Sequence, residues 1–143
     1  MNQSFFSDEF YQIPAALENG AIVRSLVEHF STKTGLSESQ VSNLQLAVCE
    51  AFNNAVEHGL DLDDKQTVVL RLRTSHRKLL IEIEDYGKGV DFHGFGFSGC
   101  FPQAGERGRG LQIIAALTDG IEFENLFPSG TRIILMKWLN TKA

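Results

Sequence analysis

Hydrophobic residues recur along the chain with two different periods, which predict an alternation of strands and helices. Runs in which apolar and polar residues alternate, or in which apolar and aromatic residues are enriched, predict strands at residues 7–13, 67–73, 79–85, 121–127 and 131–138. Spacings of three and four residues predict helices over residues 15–34, from Ser37 to about His58, and over residues 111–117. The second of these helices has a capping box at its start, because Gln40 follows Ser37 by three residues.

The strand at residues 79–85 has two unlike faces, and this difference predicts the layers of the fold. Glu82 and Glu84 share one face, whereas Leu79, Ile81 and Ile83 share the other. A sheet of this kind has one face in water and one face that must be covered, and the amphipathic helices are the natural cover. We therefore expect an α/β fold, a two-layer α/β sandwich in which a mixed, mainly antiparallel sheet is covered by helices on one face. With 143 residues, we expect residues 1–143 to form one domain.

Composition and charge exclude several classes of function. The net charge is −5, so the chain lacks the basic footprint of a nucleic-acid-binding protein, and no direct nucleic-acid partner is expected. The N-terminal residues lack a basic region followed by an apolar run, and no apolar stretch is long enough to span a membrane. Cys49 and Cys100 have no metal-binding spacing, which is typical of reduced thiols in the cytoplasm.

The helical stretch 44–59 carries polar residues at a regular spacing. Glu50, Asn54 and His58 follow one another at intervals of four, so they lie along one stripe of the helix. A carboxylate and an amide on an otherwise apolar helix are costly to bury unless a partner satisfies them. The alternative interpretation is a half-exposed polar face with Gly59 as the C-terminal cap.

Two glycine motifs follow strands or precede helices. Asp85, Gly87 and Gly89 come directly after a strand, where the carboxylate could accept a hydrogen bond from a ligand amino group and the glycines would expose backbone. Gly108 and Gly110 precede the helix at 111–117, where free backbone N–H groups would form a phosphate cradle. The alternative interpretations are an ordinary turn for the first motif and a flexible loop for the second.

The order of these motifs resembles the ATP-binding fold of the GHKL, or Bergerat, superfamily, which includes gyrase and the histidine kinases. The resemblance depends on E-x-x-x-N-A-x-x-x-H-G in a helix, then a strand followed by DxGxG, a long loop, and GxGL at a helix. It extends from about residue 7 to residue 138. Within the superfamily, CEAFNNAVEHG and the short length are most similar to the anti-sigma factor serine/threonine kinases of bacterial switches.

The resemblance implies a role for each matching residue. Asn54 would coordinate Mg²⁺, and Glu50 would act as the general base on a substrate hydroxyl. Asp85 would hold the adenine amino group of ATP, supported by Thr131. The remaining implied nucleotide contacts lie in the glycine motifs and beside the phosphates: Gly87, Gly89, Gly108, Gly110, Leu111, Arg107 and His58. His58 has a second interpretation, as a helix-terminal histidine stabilised by the helix dipole.

The loop between the glycine motifs departs from this pattern. The predicted lid, residues 90–110, contains four phenylalanines among its glycines: Phe92, Phe95, Phe97 and Phe101. These rings would either pack on the domain when ATP is bound or contribute to a protein-docking surface. Glu106 is unfavourable beside a triphosphate. We expect this lid to be mobile without nucleotide.

Two functions remain open. The first is an anti-sigma-factor-like kinase, a homodimer that phosphorylates a Ser or Thr of an anti-anti-sigma antagonist and otherwise sequesters a sigma factor. The second is a non-catalytic module of the same fold, in which ATP only sets the shape of a docking surface. A detached histidine-kinase domain is disfavoured because no phosphoacceptor helix pair precedes the fold, and gyrase-like activity is disfavoured because it needs further domains.

Overall fold

The computed structural model describes residues 7–59, 66–85, 105–126 and 130–139. Its five strands are β1 (Ser7–Pro14), β2 (Thr67–Thr74), β3 (Lys78–Asp85), β4 (Gly120–Asn125) and β5 (Thr131–Trp138). They form one sheet in the order β1-β2-β3-β5-β4, with β1 at an edge as the strand-ending Pro14 suggests. Every strand pairing within the described ranges is antiparallel, so the sheet lacks the parallel pair that a mixed sheet would contain. Short connections between β2 and β3 and between β4 and β5 impose this antiparallel arrangement.

The helices are α1 (Gly20–Thr32), α2 (Glu38–Gly59) and α3 (Gly105–Leu117). A single turn of 3₁₀ helix, Leu17–Asn19, precedes α1 where one continuous helix was predicted from residue 15. The Asn19 side-chain Nδ2 donates a hydrogen bond to the Pro14 carbonyl, 2.9 Å away, which ties this turn to the end of β1.

The predicted capping box at the start of α2 is confirmed. The Gln40 backbone N–H donates to Ser37 Oγ at 3.1 Å, and the Ser37 backbone N–H donates to Gln40 Oε1 at 2.9 Å. Two backbone donors that the helix cannot satisfy internally are thereby paired. This cap stabilises the beginning of α2.

The start of α3 corrects the sequence prediction. The glycine motif was expected to precede a helix over 111–117, but the helix begins at Gly105, so Gly108 and Gly110 lie inside it. Residues 105–110 are therefore not part of an irregular lid. Leu111 and Ile114 are buried in the core and anchor the helix, and such packing overrides the low helix propensity of glycine.

The core lies between the helices and one face of the sheet. It is formed by the inward-facing residues of the three central strands and by the apolar face of α2: Leu70, Leu72, Leu79, Ile81, Ile83, Ile133, Leu135, Leu44, Val48, Ala51, Phe52 and Ala55. Helix α2 packs against α1, α3 and β3. The predicted α/β fold with one covered sheet face is confirmed.

Candidate functional site

The middle of α2 presents two polar side chains to α3. Glu50 and Asn54 are half-buried and four residues apart, so they lie on one face of the helix. Gly110, buried in α3, lies against both: a Cβ atom at this position would be 3.3 Å from Glu50 Oε2 and 3.4 Å from Asn54 Nδ2. A Cβ here would have to push these side-chain ends aside by a few tenths of an ångström, so glycine allows the closest approach of α3. The structure thus brings three of the predicted site residues together.

A buried carboxylate and a buried hydroxyl lie opposite each other at one end of the sheet. Asp85 is the last residue of β3 and Thr131 is the first of β5, and the two are cross-strand partners. They are only 4% and 2% exposed. Thr131 Oγ1 has no hydrogen-bond partner within the described part of the chain. Because a buried polar group without a partner costs free energy, this end of the sheet is suited to receive a polar ligand group.

The uncovered face of the sheet carries an ion-pair network that sequence analysis missed. Arg132, on β5, bonds through Nε to Glu84 Oε1 at 2.7 Å and through Nη1 to Glu124 Oε2 at 2.9 Å. Its Nε also lies 3.7 Å from Glu82 Oε1. The hydrogen bond to Glu84 raises the pKa of the Arg132 guanidinium above its usual value. The available signal was charge at alternate positions: arginines in the strand at 67–73, and glutamates in the strands at 79–85 and 121–127.

A groove of about 520 Å³ between α1 and α2 adjoins the site. Glu50 and Asn53 line it on α2, and Arg24 lines it on α1. Half-exposed Leu17 and Leu46 form part of its apolar wall. This groove was not predicted from the sequence.

Cys49 also lines the groove and is a free thiol within the part of the chain that the structure describes. Burial raises its pKa above that of an ordinary cysteine; the nearby Glu50 carboxylate reinforces the shift, and Arg24 opposes it. The thiol is therefore protonated at neutral pH.

Several predicted site residues lie outside the described part of the chain. These are Gly87 and Gly89, together with the lid at residues 90–104. His58 is described only as backbone of α2, and Arg107 and Gly108 only as backbone of α3. Leu111 is a buried core residue one position after Gly110.

Within ranges 7–59, 66–85, 105–126 and 130–139, no group of three His, Cys, Asp or Glu residues could hold a metal ion. Asn54 alone is a predicted metal ligand there, so an ion would need oxygens from a bound ligand. None of the helices in these same ranges is long and apolar enough to cross a membrane.

The antiparallel sheet, its single helical layer and the polar positions on α2 and at the end of β3 define a class of nucleotide-binding α/β domains. Residues 13–138 match the family model of the histidine kinase-like ATPase domain. The chain belongs to this family.

Relatives that match over most of their length include an anti-sigma F factor and a serine-protein kinase. An anti-sigma F factor of Clostridium perfringens is 25% identical over 130 residues, covering 89% of this chain and 93% of the relative. The serine-protein kinase RsbW of Bacillus subtilis is 27% identical over 136 residues, covering 90% of this chain and 84% of the relative.

The fold is shared with solved structures. The crystal structure of the RsbU and RsbW domains of Rv1364c from Mycobacterium tuberculosis aligns with a TM-score of 0.69 at 19% sequence identity. The alignment covers 96% of this chain, which spans 34% of that solved chain. At this identity the likeness establishes the fold alone.

Proposed function

We propose that the chain is an anti-sigma-factor-like serine/threonine protein kinase. It binds Mg²⁺–ATP and transfers the γ-phosphoryl group to a Ser or Thr of an anti-anti-sigma antagonist. When that antagonist is absent, it sequesters a sigma factor. It acts in the cytoplasm as a homodimer of single-domain subunits. The relatives named anti-sigma F factor and serine-protein kinase support this function, since they match along almost their whole length.

The observation that carries the proposal is the position of Glu50. Its carboxylate lies beside Asn54 and against α3 at Gly110, and the same residue lines the groove between α1 and α2. It thus stands between the nucleotide side of the site and a surface open to a protein substrate. A catalytic base for phosphoryl transfer to a protein hydroxyl needs this position.

ATP fits the residues present. The Asp85 carboxylate is buried beside the Thr131 hydroxyl, which has no hydrogen-bond partner among the described residues. This pair suits the exocyclic amino group of adenine. The absence of a side chain at Gly110 leaves room that a Cβ would fill, next to the polar groups of α2. Asn54 Oδ1 is an oxygen ligand of the kind that Mg²⁺ accepts alongside phosphate oxygens.

Each residue then has a distinct task. When bound, Mg²⁺–ATP supplies the phosphoryl group and the positive charge that screens it. Asp85 accepts the adenine hydrogen bond, and Asn54 holds the metal. Glu50 would accept the proton of the substrate hydroxyl, the group that receives the γ-phosphoryl.

Incubation of the purified chain with γ-labelled ATP and a candidate antagonist tests the proposal. We expect Mg²⁺-dependent labelling of a Ser or Thr of the antagonist, and calorimetric binding of ATP that is lost with EDTA. Absence of ATP binding in the presence of Mg²⁺ would contradict it.

A further inference from the structure

Arg132 joins three strands at the end of the sheet that carries the proposed adenine contacts. It lies on β5 opposite Glu84 of β3 on one side and opposite Glu124 of β4 on the other. Its guanidinium bonds both carboxylates, at 2.7 and 2.9 Å. Arginine can do this because its planar fork presents several N–H groups in fixed directions.

The neighbouring rung of the same ladder is the pair Asp85 and Thr131. Successive residues of a strand point to opposite faces, so Arg132 lies on the uncovered face while Thr131 lies on the helix-covered face. Thr131 also begins β5, and Asp85 ends β3, so their rung is the last of the β3–β5 ladder. Terminal rungs open most readily. The contacts of Arg132 on the preceding rung hold this one in register.

This network is better protected than the ion pair between Arg71 and Asp8 on the same sheet face. The side chains of Arg132 and Glu84 are 29% and 17% exposed. Arg71 and Asp8 form a bidentate pair at the β1 edge, and their side chains are 42% and 43% exposed. Solvent screens exposed pairs strongly, and networks retain more of their strength. Arg71 therefore serves as a matched control: it too is a cross-strand arginine, but it lies on the β1–β2 side of the sheet.

We propose that Arg132 is a positioning residue for base recognition, which acts by keeping Asp85 and Thr131 opposite each other. The inference rests on the proposed ATP binding at that pair. A side chain on the opposite face of the sheet thereby contributes to the preference of the site for adenine.

The test compares ATP with inosine triphosphate, which carries an oxygen where adenine carries its amino group. A hydrogen bond to a charged acceptor is worth roughly tenfold to a hundredfold in affinity. We expect Arg132→Ala to lower ATP affinity by on the order of tenfold while affinity for inosine triphosphate stays within about twofold. The preference for ATP over inosine triphosphate should then be lost, as we also expect for Asp85→Asn.

Two further variants separate positioning from general stability. Arg132→Lys keeps the charge but cannot bond both carboxylates at once, so it should restore part of the ATP preference. Arg71→Ala should leave the preference unchanged. Melting curves are measured for all variants, and the titrations are done well below the lowest melting midpoint, which excludes unfolding as the cause. If Arg132→Ala does not fold, Arg132→Lys and Glu84→Gln take its place.

The outcomes are distinct. If the wild-type chain does not bind ATP or does not prefer it, the proposed function itself fails. If the wild-type chain prefers ATP and the Arg132 variants keep that preference, only the positioning role is overturned. Equal losses for both nucleotides would also overturn it, because a purely structural role predicts that result.

Discussion

Gly110→Ala adds one methyl group at the closest approach of α3 to α2. The added Cβ would lie 3.3 Å from Glu50 Oε2, 3.4 Å from Asn54 Nδ2 and 3.6 Å from Asn54 Oδ1. Two opposing effects follow. Replacing a glycine inside a helix stabilises it by about 0.5–1 kcal/mol, whereas overpacking costs about 1–3 kcal/mol.

The atoms that the methyl group meets are ends of side chains, which can rotate by the few tenths of an ångström required. The cost therefore falls at the low end, and the free energy of unfolding should change by no more than about 1–2 kcal/mol in the destabilising direction. The functional effect should be clearer. Displacing the Glu50 carboxylate and the Asn54 amide should cost about 1–1.5 kcal/mol of Mg²⁺–ATP binding, or roughly five- to tenfold in affinity.

Gly20→Ala is the matched control for the stability measurement. Gly20 begins α1 with φ −56° and ψ −30°, which alanine adopts freely, and a Cβ there would meet nothing within 4 Å. Gly20→Ala should raise the free energy of unfolding by about 0.4–1 kcal/mol. Urea unfolding and calorimetric titration of both variants provide the test. If Gly110→Ala is as stable as Gly20→Ala and binds Mg²⁺–ATP like the wild type, the contact between α3 and the polar residues of α2 has been misread.

Three further predictions follow from the structure. Asp85→Asn should lower ATP affinity by roughly ten- to a hundredfold, since an amide cannot replace a charged acceptor, and unchanged calorimetric affinity in a folded variant would refute the adenine assignment. In a Cys100→Ser background, iodoacetamide should modify Cys49 more slowly than free cysteine at pH 7, with a rate that continues to rise beyond pH ~8.5, because burial raises the thiol pKa; an unshifted pH profile would contradict this. Arg71→Ala should change unfolding free energy by less than about 1 kcal/mol at neutral pH. In the wild type, the hydrogen bond from Arg71 lowers the pKa of the Asp8 carboxyl. The stabilisation by this pair is therefore present above the unfolded-state pKa of Asp8 and is lost as pH falls through the folded-state pKa. A stability difference between variant and wild type that persists in acid would refute this account.

Periodicity was sufficient for most of the fold. The predicted strand at 131–138 coincides with β5, and the capping box places the start of α2 within a residue of Ser37. Both features depend on the spacing of residues close together in the chain, and this spacing can be determined from the sequence alone.

The start of α3 and the Arg132 network could not be predicted in the same way. Helix α3 includes residues 105–110 because Leu111 and Ile114 anchor it in the core. Its contact with α2 at Gly110 joins segments that are far apart in the chain. The alternating charges in the strands were visible, but which carboxylates face Arg132 depends on the strand order β3-β5-β4. Long-range pairing, rather than propensity, determined both outcomes.

Phosphoryl transfer by Glu50→Gln tests the central claim most directly. The substitution keeps the size and hydrogen-bonding reach of the side chain but removes its basicity. With labelled ATP, Mg²⁺ and a candidate antagonist, we expect ATP affinity to stay within a few-fold while transfer falls by about 10²–10⁴-fold. Melting curves should show both proteins folded. Equal transfer by wild type and variant would show that Glu50 is not the base, and no transfer by either, with normal partner binding, would identify a non-catalytic binding module instead of a kinase.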